Sequence, residues 1–167
     1  MVTKKKGILI TIEGIEGCGK TTQAMMIKSH LEKKNIEVVF TREPGGTKIG
    51  NQIRKILLDK RNKNIGPNTE LLLYIASRSQ HINEVIMPNL GQGKTVICDR
   101  FADATVAYQG YGRGLNKKTI SYLNNFSTDG LTPDLTFVLD LPETIGLERA
   151  KKRNKDKGIS KREGRIE

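Results

Sequence analysis

Short apolar runs alternate along the chain with segments in which apolar residues recur at helical spacing. The runs predict buried strands at 8–12, 37–40, 94–99 and 135–139. The intervening segments predict helices at 22–34, around 49–57, from Pro67 to Pro88, near 117–126 and from Pro142 onwards. Strands that alternate with helices predict an α/β fold, in which helices cover both faces of a parallel sheet.

The loop between the first predicted strand and the first predicted helix carries a motif for phosphate binding. Its residues Gly14-Ile15-Glu16-Gly17-Cys18-Gly19-Lys20-Thr21 match G-x-x-x-x-G-K-[ST] without a gap. Glycines in such a loop let backbone N–H groups face a phosphate, and the following helix adds the positive end of its dipole. We therefore predict that the loop binds a nucleoside triphosphate and that Lys20 reaches the β- and γ-phosphates.

Two side chains with oxygen donors are predicted to hold Mg²⁺. Thr21 ends the phosphate loop and offers its hydroxyl. Asp99 ends the apolar run 94–99, which has the form of a Walker B segment. Arg100 follows at once and is expected to point into the same crevice, where it would hold an acceptor phosphate.

Other charged side chains follow the second predicted strand, at the end where ligands bind in open α/β sheets. Arg42 is a candidate for holding an anion and Glu43 for orienting that guanidinium. An ordinary exposed charged turn is the alternative interpretation. Arg54 lies beside the apolar face of the second predicted helix and is able to extend from it.

Two pairs of side chains four residues apart are predicted to share helix faces. Tyr74 and Arg78 would let a planar ligand stack on the ring while the guanidinium donates to its edge. The alternative for this pair is a packed ring and a surface charge. Thr105 and Gln109 form the second pair, with Tyr108 between them.

Composition favours one domain, 1–167, in the cytoplasm, with neither a nucleic-acid partner nor a membrane. The net charge is +11, but residues 148–167 hold nine Lys/Arg and four Asp/Glu and so contribute +5 of it. Aromatic residues are 5% and are not interleaved with the basic clusters, which argues against a stacking surface for single strands. No apolar run reaches about 18 residues. Cys18 and Cys98 lack zinc spacing, and His81 is predicted to lie on a helix surface.

Four further segments make the pattern more specific than the phosphate loop alone. They are Thr41-Arg42-Glu43-Pro44-Gly45-Gly46, Asp99-Arg100-Phe101, Ala107-Tyr108-Gln109-Gly110 and Pro133-Asp134-Leu135-Thr136. Together with the loop they resemble bacterial thymidylate kinases over nearly the whole chain. The resemblance implies a P-loop fold of the nucleoside monophosphate kinase type. It also implies transfer of the γ-phosphoryl group of ATP to thymidine monophosphate (dTMP) with Mg²⁺, in a homodimer.

The resemblance also implies roles for the candidate side chains. Residues 14–21 would bind ATP. On the thymine base, the implied contacts are Tyr74 at the ring face, Arg78 at the carbonyl edge, and Thr105 and Gln109 at the remaining edge. On the sugar, they are Tyr108 at the 2′ position and Glu16 at the 3′-hydroxyl. Around the monophosphate, they are Arg42, Arg54 and Arg100, with Glu43.

Two departures from the family pattern concern the catalytic charge and the end of the chain. Gly17 stands where other branches of the family have an arginine, so the charge is expected from a basic lid at about 148–167. Arg153 is the predicted catalytic arginine, with Arg149 and Arg165 as alternatives in a lid that also contains Arg162. Gly164 stands where aspartate is expected, and the last strand and C-terminal helix of the family are expected to be absent.

Three other functions remain in competition. A regulatory GTPase shares the phosphate loop, but the chain has no Asp-x-x-Gly, and Asn154-Lys155-Asp156-Lys157 only approximates Asn-Lys-x-Asp. A kinase for a different nucleoside monophosphate is harder to exclude, because a few side chains decide base choice. A basic nucleic-acid-binding module is the alternative that is not an enzyme; its binding would fall steeply with salt.

Overall fold

The computed structural model describes residues 6–156, with side chains through Arg153. The strands are β1 (Ile8–Gly14), β2 (Val38–Arg42), β3 (Thr95–Asp99) and β4 (Leu135–Leu139). The helices are α1 (Lys20–Glu32), α2 (Lys48–Leu58), α3 (Pro67–His81), α4 (Met87–Gly91), α5 (Ala102–Thr105), α6 (Lys117–Thr128) and α7 (Glu143–Asp156). Two π-helical segments, Ile82–Ile86 and Val106–Gly112, join α3 to α4 and follow α5.

The four strands form one parallel sheet in the order β2-β3-β1-β4, which confirms the predicted α/β architecture. Successive side chains of β1 alternate between two cores. Leu9 packs with Ile82 and Ile86 on one face, whereas Ile10 packs with Ala24 and partners on the other. The strands run parallel, so the carboxyl ends of β1, β2 and β3 and the loops that follow them meet at one edge of the sheet.

Strand β4 is the least covered part of the sheet within residues 6–156. Its predicted bounds are confirmed, and it pairs with β1 through Ile10 and Leu135. The side chains of Leu135, Phe137 and Val138 nevertheless remain 39–70% exposed. No helix in this part of the chain is long and apolar enough to cross a membrane.

The helix predicted to end at Pro88 instead continues to Gly91, so that prediction is wrong. Ile82–Ile86 is π-helical, and the Met87 N–H donates to the Ile82 carbonyl five residues back. This shift in hydrogen bonding lets Pro88 occupy the first turn of α4, where its missing N–H costs little. The helical segment 67–91, made of α3, the π-helical turn and α4, therefore continues past the proline without a break.

Candidate active site

A cleft of about 770 Å³ opens at the carboxyl ends of β1, β2 and β3. Most of the predicted site residues line it. They are Glu16, Gly17, Gly19, Lys20, Thr21, Arg42, Glu43, Arg54, Tyr74, Arg78, Asp99, Arg100, Thr105, Tyr108, Gln109, Arg149 and Arg153. Gly14, Ile15 and Cys18 belong to the loop but are not among the lining residues, and Arg162, Arg165 and the lid beyond residue 156 lie outside the described residues.

The phosphate loop has the backbone that its sequence predicts. Gly14, Gly17 and Gly19 have φ values of 137°, 74° and 95°, a region that favours glycine. A Cβ atom at Gly17 would lie 2.1 Å from the carbonyl oxygen of Gly146. The close approach of α7 therefore excludes an arginine at position 17 in this arrangement.

Lys20 is folded against its own loop. Its Nζ atom donates to the carbonyl oxygens of Gly14 at 3.0 Å and Ile15 at 2.6 Å. Burial lowers the pKa of Lys20, and the nearby Arg100 acts in the same direction. An anion in the cleft would compensate both effects by placing negative charge beside the ammonium group.

The two side chains predicted to bind Mg²⁺ lie together. Thr21 Oγ1 donates a hydrogen bond of 2.8 Å to Asp99 Oδ2, although 78 residues separate them in sequence. The contact follows from the register of the sheet, because β1 and β3 are neighbours and their carboxyl ends coincide. Hydroxyl and carboxylate oxygens are ligands that suit Mg²⁺.

Arg100 is held in an unusual backbone conformation beside the cleft. Its φ of 73° lies in the left-handed region, and its N–H donates to the Ile12 carbonyl. The next N–H, that of Phe101, donates to Glu13 Oε1 at 2.6 Å. The Arg100 guanidinium then lies 5.2 Å from the centre of the Tyr108 ring. Glu13 is a residue that the sequence analysis missed; burial raises its pKa to about 7.

Three arginines, Arg42, Arg54 and Arg100, line the cleft. Arg54 Nη1 donates to the Pro44 carbonyl, while burial and the neighbouring Arg42 lower the pKa of Arg54. Within the part of the chain that the structure describes, Arg42, Arg54 and Arg100 form no ion pair with a carboxylate. Three uncompensated guanidiniums in one cleft favour the binding of an anionic group.

Glu43 does not orient Arg42 as predicted but lies in the protein interior. Its Oε2 accepts from Arg78 Nε at 2.7 Å, and its Oε1 lies 3.0 Å from His81 Nδ1, which donates because a carboxylate only accepts. Burial alone would raise the pKa of Glu43, but Arg78 and His81 hold it below its usual value. The partner of this carboxylate is therefore Arg78, not Arg42.

The prediction that His81 lies on a helix surface is wrong. The ring is 0% exposed, and its Nε2 atom lies 2.6 Å from Thr41 Oγ1. Spacing explains the error, because His81 is three residues from Arg78 and shares its helix face, which packs against Thr41 and Glu43. His81 thus bridges β2 and Glu43.

Arg78 is almost fully committed to the fold. It is 1% exposed, and in addition to Glu43 it donates to Asn124 Oδ1 at 2.6 Å, the Phe101 carbonyl at 3.0 Å and Thr105 Oγ1 at 3.0 Å. A guanidinium has five N–H groups, so these four bonds leave one N–H on Nη1 for the cleft. The alternative of a surface charge at position 78 is excluded.

Gln109 lies on the same side of the cleft as Arg78. Thr105 and Gln109 are each 1% exposed, and both line the cleft with half-buried Tyr74. Gln109 Nε2 donates to Glu70 Oε1 at 2.8 Å. The predicted pairs Tyr74 with Arg78 and Thr105 with Gln109 are therefore brought together in one pocket.

An ion pair closes one side of the cleft. Arg153 of α7 donates to Glu16 of the phosphate loop, and their side chains are 46% and 20% exposed. Arg149, one turn earlier on α7, also lines the cleft. The pair gives α7 a direct connection to the loop at the mouth of the site.

Three buried side chains, Glu43, His81 and Cys98, have potential metal-ligating atoms within 4.8 Å of one another. Each of these atoms already has a hydrogen-bond partner. The Cys98 thiol donates to the Arg100 carbonyl at 3.1 Å, and burial raises the pKa of that thiol. The cluster therefore serves as a hydrogen-bonded support for the cleft.

A phosphate loop, a Walker-type aspartate and an arginine-lined pocket in one cleft of a parallel sheet define a P-loop kinase of the nucleoside monophosphate kinase type. The family model described as thymidylate kinase matches residues 12–165. The chain belongs to the thymidylate kinase family.

Relatives and a solved structure support this membership. The chain is 56% identical to the thymidylate kinase of Geotalea uraniireducens over 144 residues, which are 86% of this chain and 68% of the relative. It is 55% identical to that of Geotalea daltonii over 161 residues, 96% of this chain and 75% of the relative. The crystal structure of the Ehrlichia chaffeensis thymidylate kinase matches with a TM-score of 0.77 and 40% identity, covering 92% of this chain and 87% of that one. The chain is therefore an ATP-dependent kinase that phosphorylates dTMP to dTDP.

Proposed function

We propose that the cleft binds ATP and dTMP at once, with residues 14–21 on the ATP phosphates and the arginine-lined end on dTMP. The observation that carries the proposal is that Lys20, Asp99 and Arg78 line one continuous cleft although they come from three segments of the chain. Lys20 then leaves its carbonyl partners for the β- and γ-phosphates. Positioning and charge neutralisation supply most of the catalysis in such a site.

Mg²⁺ is the proposed cofactor beside ATP. The donor set fits the ion, because the Thr21 hydroxyl and the Asp99 carboxylate offer oxygen ligands and lie 2.8 Å apart. When bound, Mg²⁺ supplies positive charge that offsets the triphosphate during transfer. Thr21 and Asp99 are the residues of this chain that would hold it.

The monophosphate of dTMP is proposed to bind Arg42, Arg54 and Arg100. Their guanidiniums lack carboxylate partners within the described residues, and charge-assisted bonds to phosphate are strong. Arg100 is also assigned a catalytic role, since it approaches both Lys20 and the acceptor end. Glu43 contributes indirectly, by holding Arg78.

The thymine base is proposed to stack on Tyr74, with its edge facing Arg78 and Gln109. The one free N–H of Arg78 would donate to a base carbonyl, and the Thr105 hydroxyl and Gln109 would contact the rest of that edge. Tyr108 lies against Arg100 and is assigned to the sugar 2′ position, where its ring leaves little room for a hydroxyl.

Arg153 is proposed to stabilise the charge that develops on the transferring phosphoryl group. Its present partner is Glu16, and the phosphate oxygens of ATP would compete for the guanidinium. Exchange of partners would free Glu16 to accept a hydrogen bond from the 3′-hydroxyl of dTMP. Gly17 leaves the loop without an arginine at that position, which supports a contribution from α7.

A homodimer is the proposed assembly. Helix α3 packs between α2 and α6, and these three helices carry large exposed apolar side chains. They are Ile49, Ile56, Leu72, Tyr122 and Phe126, each 45–71% exposed. Phe126→Lys should shift the sedimentation of the protein toward the monomer, whereas Tyr111→Lys, at an equally exposed ring outside these helices, should not.

We also propose that residues 1–167 form one domain that works in the cytoplasm. One sheet with a core on each face accounts for the described part of the chain, which supports a single domain. The thiols of Cys18 and Cys98 are free, which suits a reducing compartment.

A coupled assay of ADP release across thymidine, deoxyuridine, deoxycytidine and deoxyguanosine monophosphates tests the proposed site. We expect dTMP to give the highest kcat/KM.

Lys20→Ala should lower kcat by more than about a hundredfold, because phosphate charge would go unneutralised. Lys33→Ala, at an exposed lysine just after α1, is the matched control. Near-normal turnover of K20A would overturn the assignment of the loop.

A further inference from the structure

Glu70 lies behind Gln109, outside the cleft lining, and has no role in the proposed contacts. It lies in the first turn of α3 and is 6% exposed. Its Oε1 accepts from Gln109 Nε2 at 2.8 Å and from Arg113 Nε at 3.3 Å, and its Oε2 accepts from Arg113 Nη2 at 3.1 Å. A buried carboxylate therefore holds both an arginine and the amide of a cleft residue.

This contact fixes which way the Gln109 amide points. A carboxylate paired with arginine accepts hydrogen bonds and donates none, so only the NH₂ end of Gln109 can face Glu70. The carbonyl oxygen Oε1 is then turned away from Glu70. Rotating the amide would place two acceptor oxygens against each other in a buried site, which is strongly unfavourable.

The Gln109 carbonyl oxygen is left without a donor. Gln109 is 1% exposed and lines the cleft, yet no hydrogen bond from residues 6–153 reaches Oε1. Buried polar atoms in native proteins are normally paired, so this acceptor is expected to meet a donor on the substrate. Arg78 also lines the cleft and has an unused donor, the second N–H of its Nη1 atom.

An acceptor and a donor facing the cleft match one kind of pyrimidine edge. Thymine and uracil present an N3–H donor next to a C4 carbonyl acceptor. Cytosine presents an N3 acceptor next to a C4 amino donor, so it would oppose both Gln109 and Arg78. A site of buried polar groups rejects a base that leaves them unpaired far more strongly than an apolar pocket would.

We propose that Glu70 is a specificity-determining positioning residue, which fixes the Gln109 amide so that the cleft accepts a base with an N3–H and rejects cytosine. This inference rests on the proposed dTMP site. Glu70 itself touches no substrate in the proposal and acts only through Gln109. Arg113 helps by keeping the Glu70 carboxylate in place.

Glu70→Gln is the variant that should reverse the amide. The carbonyl oxygen of the new glutamine would accept from Arg113 Nη2 in the position of Glu70 Oε2, the shorter of the two arginine contacts. Its NH₂ group would then stand beside Gln109 and turn the Gln109 carbonyl away from the cleft. The ratio of kcat/KM for dTMP to that for deoxycytidine monophosphate should fall at least about tenfold. Glu84→Gln removes the same charge from an exposed position of the same helical segment, 67–91, and should leave this ratio of kcat/KM values unchanged.

A swap of the two side chains provides the rescue. In the double variant Glu70→Gln, Gln109→Glu, one carboxylate oxygen at 109 would accept from the new glutamine, and the other would face the cleft as an acceptor again. The preference for dTMP over deoxycytidine monophosphate should return. A purely structural role for Glu70 would not produce this recovery. An unchanged ratio in E70Q, or no recovery in the swap, would overturn the proposal.

Neutron diffraction from crystals of the unaltered protein with dTMP covers the case in which E70Q does not fold. Two deuterons on the Gln109 atom that faces Glu70 would support the proposal, and two on the atom that faces the base would overturn it. Gln109→Leu separates this inference from the site on which it rests. If Q109L leaves kcat/KM for dTMP unchanged, the base site is elsewhere. If Q109L lowers kcat/KM for dTMP while E70Q leaves the preference for dTMP over deoxycytidine monophosphate unchanged, the base site stands and only the proposed role of Glu70 is overturned.

Discussion

The backbone N–H of Phe101 donates a hydrogen bond of 2.6 Å to the side chain of Glu13, which joins the segment after β3 to the carboxyl end of the neighbouring strand β1. The bond fixes Phe101, the residue that follows Arg100. The φ of Arg100 is 73°, a conformation that costs a non-glycine residue on the order of 1 kcal/mol or more. Glu13 therefore helps to hold the turn that presents Arg100 to the cleft before any substrate arrives.

Glu13 should make the stability of the protein depend on pH. Burial raises its pKa from 4.5 to about 7, so the folded protein holds this proton more tightly than the unfolded chain. The free energy of unfolding should therefore fall as the pH rises from about 4.5 to about 7, and then stay level. Glu13→Gln keeps an acceptor for Phe101 and removes the charge, so it should stabilise the protein at about pH 8 by up to about 3 kcal/mol.

Urea denaturation of both proteins from about pH 5 to about pH 8 measures this effect. The two curves of stability against pH should diverge as the pH rises, with E13Q the more stable. Curves that stay parallel would show that Glu13 is not the group responsible.

Arg78→Ala should weaken both folding and dTMP use. The free energy of unfolding should fall by about 3 kcal/mol or more, because Glu43 would become a buried charge without its strongest partner. Transition-state stabilisation measured by kcat/KM for dTMP should fall by about 2 kcal/mol while the Kd for ATP stays nearly unchanged. Arg61→Ala, at an exposed arginine paired with Asp59, should change little and serves as the control. Normal dTMP kinetics in R78A would mean that the base site is misplaced.

His81→Leu should lower the free energy of unfolding by about 2 kcal/mol, because it leaves Glu43 Oε1 and the Thr41 hydroxyl without their buried partner. His30→Leu is the matched control, since His30 is exposed on α1. Chemical denaturation at neutral pH gives both values. Equal effects of the two substitutions would contradict the network described for His81.

Arg153→Ala should lower kcat far more than it raises the Kd for ATP. This is the result expected of an interaction that forms mainly in the transition state. Single-turnover kinetics and equilibrium titration separate the two quantities. Lys151→Ala, at an exposed position on the same helix, is the control. Equal losses in binding and turnover would make Arg153 a binding residue only, and unchanged turnover would favour Arg149.

Local patterns were sufficient to predict the strands and the phosphate loop. The loop motif spans eight residues, and each apolar run has the length and residue types of a buried strand, so both signals are contained in one stretch of sequence. Thr21 and Asp99 could be paired from sequence because their motifs define where each lies relative to the sheet. Their contact at 2.8 Å shows that the two side chains lie together, and their role in holding Mg²⁺ stays a prediction.

The predictions that were wrong depended on tertiary contacts. Pro88 is a strong helix breaker, but the π-helical turn before it is not visible in the apolar pattern. Glu43, His81 and Glu13 were missed or misassigned because a polar or charged residue is usually exposed, and nothing local shows which buried partner it will meet. One signal was present: Leu71, Ile75, Arg78 and Ile82 follow one helical stripe, which placed Arg78 on the core side.

The hydrogen bonds of Arg78 couple base recognition to the stability of the folded protein. The same guanidinium that leaves one N–H for the base also ties together Glu43, Phe101, Thr105 and Asn124. A substitution that relaxed base selection at this position would therefore also destabilise the folded protein. Base recognition at Arg78 is thus under a second constraint, because a variant that loses the donor also loses folding stability.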